Sequence, residues 1–276
     1  MEISLSGLIS TAVRVFSSED AGASSFIPVA GIMSLFNAFC IAYNALFIRS
    51  FFLDGSNCWS GQRATNVCSH MFYLSFDLFL LYKTYTLSLH SKVVLVAMTV
   101  ILLHRIVWTV WDIIKSQGVW DDSAQNCEYV QYPTTGIGYN SADIISDSFC
   151  TLTAILLNYK SLVTGPVTDS IKVIVQENIL RSFVVVTVNS FELYAATNWT
   201  DPYLTLLAFL IQNYTYARCL NAELFWIEAR KTAAGQTTSM STTGSQIAPA
   251  ALRAPRRKER PQLRTRRISR NLPAFF

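Results

Sequence analysis

The chain has 276 residues, of which 51% are hydrophobic and only 14% charged, against about 25% charged in a soluble globular domain. The apolar residues fall in long blocks, which points to a membrane protein and away from a soluble or nucleic-acid-binding domain. The net charge of +4 hides an asymmetry: residues 230–276 hold eleven Lys/Arg against Glu259 alone, whereas residues 1–229 hold eleven Lys/Arg against seventeen Asp/Glu.

In chain order, residues 1–25 lack the basic start of a secretory signal, and their apolar run, 7–16, is interrupted by Arg14. That run reads as an interfacial helix or as a reduced first helix. The first convincing span is 26–48, twenty-three residues without a formal charge. At about 1.5 Å per residue it is long enough for a hydrocarbon core of roughly 30 Å. Further spans are expected at 65–87, 93–114, 141–162, 170–196 and 203–227, with Gly165-Pro166 breaking the chain between the fourth and fifth. The segment 115–140 reads as a long polar loop. Residues 232–276, rich in Thr, Ser, Ala, Pro and Arg, read as a disordered basic tail. The expected fold is all-α: a polytopic transmembrane bundle of about six helices, or seven if the first run counts.

The basic tail following the last span places the carboxyl terminus in the cytoplasm, in a multi-pass protein of the plasma membrane or an endomembrane. The loops 49–64, 115–140 and 197–202 then lie outside. Asn198-Trp199-Thr200 is a glycosylation acceptor pattern in the last of them. Cys58, Cys68 and Cys127 lie in or near the outer loops, so a disulfide from Cys127 to Cys58 or to Cys68 is expected, with free thiols as the alternative. In the tail, Arg256-Arg257-Lys258 and Arg264-Thr265-Arg266-Arg267 suit anionic lipid headgroups, and Ser269 stands in a basophilic kinase pattern that would weaken such contact.

Many ionisable residues fall inside the expected spans, where each is costly unless paired or facing water. Asp112, Asp143, Asp147 and Glu192, with Arg105 and His104, are candidates for an outer ligand vestibule. Asp143 and Asp147 stand four residues apart on one helix face, so they repel and need a proton, a cation or a basic partner. The plainer reading is that Arg105 neutralises them and Asp143 sits at a helix start. Lys83, Glu177, Arg181, Arg218 and Glu223 are candidates for an inner charged network, structural or able to open in a conformational change.

Catalytic signatures are missing. The three histidines, His70, His90 and His104, do not suit a three-histidine zinc site, and no GxSxG, HExxH or phosphate-cradling loop occurs. The last span has no lysine for a retinal Schiff base. Neither metal, cofactor nor enzymatic activity is expected.

An outer cysteine at a helix head, a second in the next outer loop and short inner turns resemble the seven-helix receptor plan, entered at its second helix. The segments DLFLLYKTYTL (77–87), ENILRSFVVVTVNSFELY (177–194) and QNYTYARCLNAELFWIEARK (212–231) resemble uncharacterised seven-helix-type integral membrane proteins of fungi. The likeness covers roughly 26–231. Tyr82-Lys83-Thr84-Tyr85 stands where G-protein-coupled receptors carry Asp-Arg-Tyr, and the last span lacks Asn-Pro-x-x-Tyr. The layout implies a receptor-like bundle with a small-molecule ligand outside; a cation- or proton-coupled transporter and a structural membrane protein are the alternatives.

Overall fold

The structure, a computed structural model, describes residues 1–17, 23–164, 169–199 and 202–243. Among them are seven helices and one two-stranded hairpin: α1 (Glu2–Ser17), α2 (Ala23–Ser50), α3 (Cys58–Leu87), α4 (Lys92–Lys115), β1 (Gln117–Asp121), β2 (Asn126–Val130), α5 (Pro133–Thr164), α6 (Asp169–Asn198) and α7 (Pro202–Thr243). Two stretches, Ile27–Ser50 of α2 and Lys92–Lys115, are long and apolar enough to cross a membrane. The other long helices are diluted by polar residues, many of which face inward.

Helix α3 is the centre of the assembly, packing against α2, α4, α5 and both strands; α6 joins α5 to α7, and α1 lies against α2 and α7. The middle of the bundle is aromatic. Phe36 meets Phe72 at 4.5 Å between ring centres, and Phe76 meets Tyr216 at 4.4 Å. Around this patch the usual distribution is inverted. Arg105, Asp112, Asp143, Asp147 and Glu223 are buried, while Val96 and Leu103 of α4, Leu156 of α5 and Phe183 of α6 are exposed.

The run 7–16 lies within α1. At about 1.5 Å per residue, the sixteen residues of α1 span less than the roughly 30 Å of a hydrocarbon core. Its close approach to α7 depends on Gly7, where an added Cβ would stand 1.9 Å from Asn221 Oδ1. Asn221 and Asn37 exchange side-chain hydrogen bonds of 2.9 and 3.1 Å, and Arg14 donates to the Leu224 carbonyl at 3.2 Å, which ties α1, α2 and α7 together.

The fold is mostly helical as expected, but the segment 115–140 is not a plain loop. It folds as an antiparallel hairpin, with Gln117 opposite Val130 and Trp120 opposite Cys127. Asp121 builds the turn, accepting from the Ser123 amide and hydroxyl at 2.8 and 2.7 Å, a local closure typical of Asp. At Gly118 an added Cβ would fall 2.7 Å from the Cys58 carbonyl, so only glycine lets β1 lie directly on the first turn of α3. The disulfide between Cys58 and Cys127 fixes the same contact; Cys68 is a free thiol.

Helix boundaries also move. Helix α3 begins at Cys58 rather than 65, and α5 at Pro133 rather than 141, with proline at the helix start, where its missing N–H is not needed. Helix α7 continues to Thr243, past the expected boundary at 231. Residues 244–276 lie outside the described residues.

Candidate functional site

The polar interior forms three levels along the bundle axis, beginning beneath the hairpin. There, a cavity of about 390 Å³ opens between α2, α3, β2, α5, α6 and α7. Such a volume is in the range of small-molecule sites. Its walls combine the rings of Tyr43, Phe47, Tyr129, Tyr139 and Phe209 with the carboxylates of Glu128 and Glu192. Glu192 is held by the Asn140 side-chain amide, which donates to its Oε2.

Behind one wall sits Asp112, with a relative exposure of 0%. Its Oδ2 accepts from Asn66 at 3.0 Å and from the Tyr129 hydroxyl at 3.2 Å, and faces His70 Nε2 at 2.9 Å. Its Oδ1 accepts from Ser116 at 2.8 Å and from Thr135. Asp112 is therefore a saturated knot that joins α3, α4, the hairpin and α5; no oxygen is left for a ligand. Burial and the Asp112 carboxylate push the Tyr129 phenol up, so its hydroxyl stays protonated and donating.

At the middle level Arg105, also 0% exposed, holds two carboxylates. Its Nε lies 2.5 Å from Asp143 Oδ1 and 3.4 Å from Asp77 Oδ2, Nη1 donates to Thr109 at 3.1 Å, and the guanidinium sits 5.2 Å from the Tyr139 ring centre. Asp147 takes a different partner, the Ser182 hydroxyl, which also accepts from Thr151 at 2.6 Å. The expected joint site of Asp143 and Asp147 is thus divided. Nor does Asp143 sit at a helix start, because α5 begins at Pro133.

A chain of amides and phenols runs beside this triad. Asn140, which holds Glu192 of the cavity wall, accepts from Gln212 at 3.3 Å, and Gln212 donates to Asn189 at 3.0 Å. Asn189 then donates to the Tyr216 hydroxyl at 2.9 Å, and the Tyr73 hydroxyl reaches Gln212 at 2.8 Å and Asn213 at 2.5 Å. Every member is at most 6% exposed. Buried polar groups linked in this way polarise one another and set a specific arrangement.

At the far level, Lys83 bridges Glu177 and Glu223, the latter at 2.7 Å, and Arg181 pairs with Glu177 at 3.1 Å. Among the described residues, two cations meet two anions there. Four of the five residues expected in an inner network are brought together. Arg218 is not among them: it is exposed on α7, with its Nε 3.0 Å from the Tyr214 hydroxyl.

Of the six residues expected in a vestibule, Glu192 alone lines the cavity; Asp112, Asp143, Asp147 and Arg105 are consumed in internal pairing. His104 is on the outer face of α4, accepting from Trp108 at 3.0 Å. Consecutive helix residues point about 100° apart, so Arg105 cannot face the core with His104 beside it. Sequence reasoning missed Asp77, His70 and Asn66 as partners and Tyr139 as a wall. Asn198 ends α6, its amide donating to the Tyr194 carbonyl at 3.0 Å; Thr200 of that acceptor pattern, Ser269 and the arginine clusters lie outside the described residues. Among the described residues no group of three His, Cys, Asp or Glu side chains is placed to hold a metal.

Comparison with protein-family models, with curated proteins and with solved structures finds no match to this chain.

Proposed function

We propose that the protein is a multi-pass membrane bundle that binds a small ligand in the cavity beneath the hairpin and transmits occupancy along its buried polar core. It is receptor-like, binding rather than catalytic. The observation that carries this reading is the continuity of the interior. Glu192 lines the cavity, Asn140 holds it, and the bonds run on through Gln212 and Asn189 to Tyr216.

The membrane part of the reading draws on the inverted surface. Exposed apolar side chains cover α4, α5 and α6, and paired charges fill the inside, which is what a hydrocarbon solvent demands. The basic tail belongs on the cytoplasmic side, available to anionic lipid, and the hairpin then lies outside, where its disulfide persists. The likeness to seven-helix-type proteins of fungi enters only as analogy of layout.

Blocking the cavity tests the proposal. Leu206, half-buried in the cavity wall, is changed to Cys and loaded with a bulky maleimide in lipid nanodiscs. Hydrogen exchange is expected to change both at the cavity and around Glu177–Ser182. A response confined to the cavity walls would rule out transmission. Loss of the chain from membranes on alkaline carbonate extraction would rule out the bundle itself.

A second reading, proton- or cation-coupled transport, is favoured by one observation: Arg105 faces two carboxylates, which leaves the triad one negative charge in excess. It requires flux in reconstituted vesicles that is lost in Asp143→Asn.

A further inference from the structure

We propose that the cavity accepts an organic ammonium ion, with Glu192 as counter-ion and aromatic rings as walls. The inference rests on the ligand-binding reading above and names the chemistry of the ligand.

Three observations converge. First, the described residues that line the cavity include two acids, Glu128 and Glu192, and no Lys, Arg or His. The basic residues near this end of the bundle sit elsewhere: Arg49 lines a separate, smaller cavity, Arg63 stacks over Trp59 at 4.9 Å, and Lys115 is exposed at the end of α4. Second, six of the lining residues are aromatic: Tyr43, Phe47, Phe51, Tyr129, Tyr139 and Phe209. The face of an aromatic ring is negative, and a cage of rings around a carboxylate suits an alkylated ammonium, which gains from the ring faces and loses little hydration. Third, the acid in the wall is fixed. Glu192 is 5% exposed, and the Asn140 amide positions its carboxylate by donating to Oε2. A positioned, poorly hydrated carboxylate attracts a cation more strongly than a mobile surface acid does.

The interior behind the walls does not cancel this field. Arg105 lies on the far side of Tyr139, but Asp77 and Asp143 surround it, so that group carries no positive excess. Asp112 is faced by His70 and saturated, and so leaves the sign at the cavity unchanged. An anion would therefore meet two carboxylates and no cation. A wholly apolar ligand would leave the Glu192 carboxyl beside it without a counter-ion.

The test uses Leu206→Cys in the full chain in nanodiscs, with the parent protein as baseline for Cys68 and Cys219. Modification rates are measured with three methanethiosulfonates: a trimethylammonium-ethyl, a neutral methyl and a sulfonato-ethyl reagent. The cationic reagent is expected to outpace the anionic one by at least about tenfold after correction for their intrinsic rates, because a cleft of one charge sign raises the local concentration of the opposite sign. Glu192→Gln, which keeps the shape and the Asn140 contact, is expected to reduce that ratio severalfold. Equal rates for cationic and anionic reagents would overturn the ammonium assignment and leave the cavity reading standing. No reaction with any of the three would overturn the cavity reading, and the assignment with it.

Discussion

The triad of Arg105, Asp77 and Asp143 gives the sharpest test of the interior. Replacing Arg105 with Met keeps much of the volume and removes the cation that faces two carboxylates, 3% and 2% exposed. At about 4 Å between charge centres and an effective dielectric near 20, each lost attraction is about 4 kcal/mol. Protonation of the abandoned carboxylates limits the loss, so the net destabilisation should be about 3–5 kcal/mol, the usual range for breaking a buried pair from one side. Asp77→Asn should cost far less, because it brings the triad to neutrality and keeps a hydrogen-bonding side chain. The triple change Arg105→Met, Asp77→Asn and Asp143→Asn should recover most of the loss, since a buried ion group replaced whole by neutral residues is often close to neutral in stability. The measurement is reversible unfolding in mixed micelles, titrated with a denaturing detergent and followed by tryptophan fluorescence. If Arg105→Met were no worse than Asp77→Asn, or the triple variant no better than Arg105→Met, the charge argument would be refuted.

Gly7→Val should release α1 from α7, costing about 1–3 kcal/mol by overpacking, because the new side chain would occupy the position of the Asn221 amide; unchanged protease resistance of α1 would contradict the packing described. Cys58→Ser should lower stability by about 2–4 kcal/mol and increase hydrogen exchange in β1 and β2 before it affects α6 or α7, since the bond joins the hairpin to α3 across 69 residues. Acid should loosen two exposed turns. The Ser56 hydroxyl and the Asn57 amide hold the Asp54 carboxyl below the usual range, and the Ser123 hydroxyl and amide do the same for Asp121. A carboxyl lowered in the folded state stabilises it above the unfolded value of about 3.9, and that contribution disappears as pH falls through the lower folded value. Amide resonances of Asn57 and Ser123 should thus hold still at about pH 5 and move below about pH 4; invariance down to about pH 2 would count against these bonds.

Helices were legible because blocks such as 26–48 and 93–114 are long and apolar, and the Cys58–Cys127 pair was one of two pairings expected from the sequence. Partnership was legible only in part: the sequence set Arg105 against Asp143 but not against Asp77. Nothing in the spacing of Arg105 says that one of its acids comes from α3 and the other from α5, because that depends on how three helices rotate about their axes. Asp143 and Asp147 share a face in sequence terms, yet a rise of about 6 Å between residues four apart is enough for one to meet a guanidinium and the other a serine. Arg218 shows the reverse case: a charge read as internal lies outside, because Tyr216 and Ala217 take the inward positions and the next residue on a helix turns away. The hairpin was hidden by its size. Five-residue strands hold too few alternations to stand out from a polar loop, and the signal that existed was the Asp-rich turn between Trp120 and Cys127.

The pairing of Asp77 with Arg105 also bears on how such a chain is made. In the proposed membrane setting, either charge carried alone into lipid costs roughly 2.5–3.5 kcal/mol at the helix centre, and α3 brings Lys83 as well. Helices α3 and α4 are joined by a short turn in which Leu89 and His90 take positive φ values of 53° and 62°, and the two helices pack against each other. Their opposite charges can then neutralise before the later helices exist. The two helices would leave the translocation machinery as one unit, with α4 carrying α3 into the bilayer; Asp143 would arrive afterwards to a guanidinium already in place.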